Sequence, residues 1–256
     1  MFVAVIPLLW RQLIYLLAGI GAGIANGVAG GGTFITFPTL LAMGIPALQA
    51  NVSTSVGVLP SYFGGIRGFR HQLRHHHDIV RALIPACVLG AALGTVLLLT
   101  GSPDVFRNVV PWLVAAGTVL FALAPRITRR LAHLDHAHPR RRWSLHAGIF
   151  VVSIYGGYFG AGLGILLLAV MAIGLPYELA DLQGLRNVLS LIINACAAAI
   201  FIVRGGLALD AVYMLLVGTL IGGVLGTLLI TRISPKAVRW LVIGTGVVTT
   251  VRLLWK

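Results

Sequence analysis

Gln183, Asn187, Ser190 and Asn194 recur at spacings of four, three and four, with Arg186 beside them, inside a run of apolar residues. Those spacings put the four uncharged side chains on one stripe of a helix. An ionised side chain in hydrocarbon costs several kcal/mol, so such residues face a bundle interior or a wet cavity. The planar fork of a guanidinium suits a negatively charged oxygen group, and amides and hydroxyls around it complete a donor-rich seat. The chemistry on offer is capture of an anion rather than bond making. A plainer use of Arg186 is an ion pair with Glu178 or Asp181 at the membrane edge, since it lies only about a turn into its segment.

Asn51, Ser53, Thr54 and Ser55 stand at the matching place in the first half of the chain, with no charge among them. Hydroxyls and amides at a helix start cap it. Four in five positions exceed what one cap needs, and a helix N-terminus aimed into a pocket would add backbone donors for an oxyanion. Two glycine clusters precede these stretches: Gly30, Gly31 and Gly32 in the first half, Gly160, Gly162 and Gly164 in the second. Either they let helices pack closely, or they mark broken helices that shape a binding pocket.

"The matching place" has a definite meaning, because the chain is duplicated. Gly27, Gly30 and Gly32 fall on Gly157, Gly160 and Gly162, and Gly44 and Pro46 fall on Gly174 and Pro176. With a shift of two residues, Asp78 falls on Asp210, Gly90 on Gly222 and Gly94 on Gly226. A repeat of this kind decides the architecture. Each copy reads as five apolar segments, near 12–28, 33–48, 51–67, 80–100 and 106–125, then 146–159, 163–177, 182–203, 210–231 and 237–255. The first two of each copy are short for a full crossing. This gives repeat one over 1–126, a basic linker over 127–145 and repeat two over 146–256. Asp78 and Asp210 each begin a segment, where N-capping is the expected role.

Composition places these segments in a bilayer. Hydrophobic residues make up 58% of the chain and charged ones 10%, and the mean hydropathy is +0.97. A soluble domain carries about a quarter charged residues. The net charge of +13 is gathered in Arg67–Arg81 and Arg126–Arg142, between apolar segments. That is the positive-inside pattern, with anionic headgroups as the partner of the basic loops and nucleic acid excluded. Matching loops carry opposite charge bias: Arg67, Arg70, Arg74 and Arg81 against Arg204, then Arg107 against Arg232, Lys236 and Arg239. The copies are therefore expected to face opposite ways, with the linker in the cytoplasm. The fold class expected is an all-α polytopic membrane protein of two inverted-topology repeats, with broken helices at the repeat interface.

Inverted repeats of this kind are a hallmark of secondary transporters, whose sites lie near the midplane. Cys87 and Cys196 lack metal or disulfide spacing. His71 and His75–His77 sit in a basic loop where a solvated role outweighs a metal site. The ATP-binding signature GxxxxGK[ST] is absent. The expectation is a transporter with no cofactor, no metal and no catalytic residue. An anion channel and a membrane-embedded enzyme are its rivals, and a homodimer is left open.

Gly27-Val-Ala-Gly-Gly-Gly, then Gly44-Ile-Pro-Ala-Leu-Gln-Ala-Asn-Val-Ser-Thr-Ser, and Arg204-Gly-Gly-Leu-Ala-Leu-Asp in the second half resemble the repeated signature of the TauE/SafE family of membrane permeases. The resemblance covers nearly the whole chain. It implies export of sulfite, sulfoacetate or a related organosulfur anion across the cytoplasmic membrane, with a channel or permease for another anion such as thiosulfate as the alternative. The family's Gly-Thr-Ser at the start of the third segment is replaced here by Asn51-Val-Ser-Thr-Ser and by Asp181-Leu-Gln-Gly-Leu. That departure carries the fold over more firmly than the substrate.

Overall fold

Glycine and proline decide where the apolar runs break into helices. The computed structural model describes residues 8–28, 30–131, 141–228 and 234–255. All regular structure among the described residues is helical. In the first half the helices are α1 (Leu8–Val28), α2 (Thr33–Ala42), α3 (Ala47–Gly57), α4 (Leu59–Gly68), the single turn α5 (Arg70–Leu73), α6 (His77–Thr100) and α7 (Pro103–Leu131). In the second they are α8 (Arg141–Tyr158), α9 (Leu163–Gly174), α10 (Leu179–Arg204), α11 (Leu209–Leu228) and α12 (Pro235–Leu254). Six of them are long and apolar enough to cross a membrane, so this is a multi-pass membrane protein.

Several boundaries differ from the expected ones. The segment at 12–28 begins at Leu8 and has 21 residues, about 31 Å of helix, so it is not short. The second segment of each half is short, at 10 residues in α2 and 12 in α9. Both start at a glycine cluster; α2 stops at Ala42, two residues before Gly44, and α9 stops at Gly174. The stretch 51–67 is two helices that break at Val58, because Pro60 removes a backbone donor at the start of α4. Its counterpart α10 runs unbroken for 26 residues. Of the basic linker 127–145, Leu131 still belongs to α7 and Arg141 already to α8, and 132–140 lie outside the described residues. So does Arg232.

Asn51, Ser53, Thr54 and Ser55 do not lie at a helix start. α3 begins at Ala47, directly after Pro46 (φ −55°, ψ 146°), so their backbone amides are spent within the helix and cannot serve an anion. Asp78 and Asp210 are likewise one position inside the first turns of α6 and α11, and the N-cap residue of α6 is His76, without a side-chain cap bond. Their charge favours the helix dipole instead.

The two halves pack by exchange. α1 lies along α11, and its counterpart α8 lies along α6; α4 meets both α10 and α11, and α10 meets α6 in turn; α12 touches α2, and α7 touches α9. The backbone approaches repeat in kind. A Cβ on Gly90 would sit 2.5 Å from the Phe150 carbonyl oxygen, and one on Gly222 would strike that of Ile20. Gly94 abuts Ile154 and Gly226 abuts Ile24 in the same way. With no hydrophobic drive between helices in lipid, such close backbone packing is what holds them. Beneath the glycine clusters, Phe34 meets Phe121 edge-on at 5.9 Å and Phe37 meets Phe159 at 5.4 Å.

A buried arginine where the two glycine turns meet

Gly30 (φ +79°) and Gly160 (φ +75°) turn the chain after α1 and α8, each amide returning to a carbonyl five residues back, Ala25 or Tyr155. Positive φ at low cost requires glycine. The turns bring two backbones together: a Cβ on Gly30 would lie 3.5 Å from Cα of Gly164 and 3.4 Å from Nη1 of Arg186. A Cβ on Gly164 would lie 3.2 Å from Cδ of Arg186. The arginine thus reaches from α10 into the seam between the α1–α2 turn and the start of α9, where it is 3% exposed.

One edge of the guanidinium is held. Nη2 donates to the Asn26 carbonyl at 3.4 Å and to Asn187 Oδ1 at 3.3 Å. The other edge, Nη1 and Nε, lies against the two glycines. The plainer use of Arg186 does not occur: Asp181 faces His76 instead, at 3.4 Å, and no carboxylate pairs with Arg186 among the described residues. Several kcal/mol of desolvation are therefore borne by a cation whose partners are neutral.

Asn187, the neighbour of Arg186 on α10, and Asn51 and Thr54 on α3 keep buried polar atoms with capacity to spare. Asn187 Nδ2, Thr54 Oγ1 and Asn51 Oδ1 are buried without a partner. Asn51 Nδ2 donates to the Tyr158 carbonyl at 3.0 Å, so α3 is tied to the second turn. Asn194 Nδ2 donates to Tyr62 Oη at 3.1 Å and to the Ser190 carbonyl at 2.9 Å, and its Oδ1 lies beside Gly160. Ser190 is buried on the same stripe.

Not every candidate joins the site. Ser53 Oγ accepts the Ala208 amide at 2.9 Å and so anchors the approach to α11. Gln183 is only half-buried, and the hydrogen bonds of Arg186 among the described residues go to Asn26 and Asn187 instead. Gly31 packs on Phe121 and Val242, and Gly162 faces Phe34; both hold the turns rather than line the seam. Gly32 gives its amide to Asn26 Oδ1 at 2.7 Å.

Two residues were missed. Asn26 joins three elements: its Oδ1 takes the Gly32 amide, its Nδ2 donates to Ser61 Oγ at 2.9 Å, and its carbonyl receives Arg186. An amide inside the apolar run 12–28 was itself the signal, by the rule that singled out Arg186. The other is Tyr62, buried on α4, which no spacing in the sequence singles out.

The arrangement offers a fixed cation, uncharged donors and the N-terminal ends of α2 and α9, all between two halves. It can hold a small anion. Residues 15–253 match the family model described as "Sulfite exporter TauE/SafE". The chain is similar to a probable membrane transporter protein of Haemophilus influenzae, 25% identical over 94% of each chain. It is similar to probable membrane transporter protein YfcA of Escherichia coli, 25% identical over 97% of this chain and 91% of that one. It is also 24% identical to probable membrane transporter protein ORF9 of a Sinorhizobium species, over 91% of this chain and 88% of that one.

Proposed function

The chain belongs to the sulfite exporter TauE/SafE family of membrane transporters, and from that premise we propose that it is a secondary transporter exporting a small sulfur-containing oxyanion, such as sulfite, across the cytoplasmic membrane. The observation that carries this reading is the Arg186 guanidinium, buried against Gly30 and Gly164 with no carboxylate beside it among the described residues. A cation kept without a counter-ion at the meeting of two broken helices suits a transient anionic occupant. Asn187 Nδ2 supplies a second donor at the guanidinium, while Thr54, Asn51, Asn194 and Tyr62 extend the polar lining. A tetrahedral or pyramidal oxyanion fits a forked donor better than a point charge would.

Alternating access follows from one half moving against the other about this seat. The inverted orientation of the halves is supported by α10. The 70–77 loop meets its start through His76 and Asp181, and Gly205 follows its end, about 39 Å away for 26 residues. The negative-inside potential favours anion exit by about 2.3 kcal/mol per charge at 100 mV.

The test is flux into liposomes containing the purified protein, with sulfite, thiosulfate, sulfoacetate and sulfate. Wild type should show saturable uptake of sulfite and counterflow. Arg186→Ala should lose uptake by about 10- to 150-fold, the equivalent of one charge-assisted hydrogen bond of about 1.5–3 kcal/mol, while eluting as a folded protein. Flux without saturation or counterflow would make the protein a channel. Unchanged flux in Arg186→Ala would remove the arginine from the site.

A further inference from the structure

A groove well apart from Arg186 opens on another part of the protein. It lies between α2, α7 and α12, has a volume of about 1200 Å³, and includes none of the side chains that surround the buried guanidinium. That exceeds the roughly 300–1,000 Å³ of sites for small molecules, and a three-oxygen anion would rattle in it.

Its charge comes from two arginines. Arg107, near the start of α7, and Arg252, near the end of α12, both line it and both are exposed. Neither pairs with a carboxylate among the described residues. From Arg252 the groove follows α12 back to Trp240. Twelve residues of helix cover about 18 Å, close to half of the roughly 30 Å hydrocarbon core, the depth of one leaflet. Along that path the hydroxyls are already used. Thr245 Oγ1 donates to the Leu241 and Val242 carbonyls at 3.1 and 3.0 Å, and Thr249 Oγ1 to the Thr245 carbonyl at 2.6 Å. Between them Gly244 leaves open space, with nothing within 4 Å of where a Cβ would stand. The groove therefore asks for negative charge at its mouth and nothing polar along its length.

We propose that this groove binds one anionic phospholipid, its phosphate on Arg107 and Arg252 and an acyl chain lying over Gly244 toward Trp240. Two unpaired guanidiniums at headgroup depth match a phosphodiester, and the one-leaflet run of apolar wall matches its chain. A phospholipid fixed here would rest on α2, the short helix whose other end starts at the Gly30–Gly32 turn, and on α12, which belongs to the other half. It would bridge the halves without touching the anion seat.

Full-length protein would be placed in bilayers of phosphatidylcholine containing a small fraction of phosphatidylglycerol, and the lipids retained after mild detergent release would be counted by native mass spectrometry. Wild type should retain one phosphatidylglycerol in preference to phosphatidylcholine. Basic residues near an anionic surface each contribute a factor of about five, so Arg107→Gln with Arg252→Gln should lower the preference about 25-fold. Gly244→Phe fills the open space on an exposed helix face, where loss of a glycine favours the helix; it should reduce retention of either lipid with the unfolding temperature kept. Equal retention of the two lipids by wild type, or no effect of these variants, would overturn the proposal. So would displacement of phosphatidylglycerol by inorganic phosphate, which would give the site to a free oxyanion. Cross-linking of two copies through residue 248 of α12 would overturn it too, by giving the groove to a second protein chain.

Discussion

Asn26→Ala and Asn26→Asp separate the support of the site from its charge. The Asn26 amide makes two buried hydrogen bonds, to the Gly32 amide at 2.7 Å and to Ser61 Oγ at 2.9 Å. In membrane interiors each is worth about 0.6–1.7 kcal/mol, and an orphaned amide at Gly32 raises the loss to about 2–3 kcal/mol in all. For a chain of this size that lowers the unfolding temperature by about 4–12 °C. Asn26→Asp keeps the acceptor for Gly32, but it sets a carboxylate near the guanidinium that the Asn26 carbonyl already receives at 3.4 Å. At roughly 6 Å and an effective dielectric constant of about 20 the attraction is near 3 kcal/mol, which a substrate anion must overcome. The expected result is a KM for sulfite raised about 100-fold, with an unfolding temperature closer to wild type than that of Asn26→Ala. Thermal unfolding in detergent and initial rates in liposomes measure both quantities. An Asn26→Asp variant with wild-type KM, or an Asn26→Ala variant with wild-type stability, would refute the reasoning.

Other substitutions read other parts of the structure. Gly94→Val should prevent folding or splay α6 from α8, since a Cβ there would collide with the Ile154 carbonyl; yield and monodispersity in detergent report it. Gly30→Ala should cost about 1–2 kcal/mol for a non-glycine residue at φ +79° and weaken transport more than stability, because the added methyl would lie 3.4 Å from Arg186 Nη1. His76→Ala should change unfolding by no more than about 1 kcal/mol, as the His76–Asp181 contact is partly exposed. Single cysteines at 72 and 206, in a background without Cys87 and Cys196, should label from opposite faces of the membrane. Labelling of both from one face would refute the inverted arrangement.

How far the sequence revealed this protein follows from what each residue type must do alone. The repeat was read from glycine, proline and aspartate recurring at matching places, where turns and helix starts call for those types. Arg186 was legible because no bilayer tolerates a charge without reason. The break at Val58 was not, since Pro60 sits in an apolar run that reads as one crossing and only the packing of α4 between α10 and α11 shows two pieces. Ser53 read as a site donor because its type permits it, whereas its partner, the Ala208 amide, is 155 residues away. The distance from Gly30 to Gly164 has the same character: each turn is local, but their meeting belongs to the fold. The groove over Gly244 joins three helices distant in sequence, and no spacing within one of them announces it.

The role of Arg186 as the seat of the anion is tested most directly by ligand-induced stabilisation in detergent. Sulfite at about 100 times its dissociation constant should stabilise wild type by about 2.7 kcal/mol, a rise of roughly 5–10 °C, and should leave Arg186→Gln unshifted. An equal rise in both proteins would place the anion elsewhere.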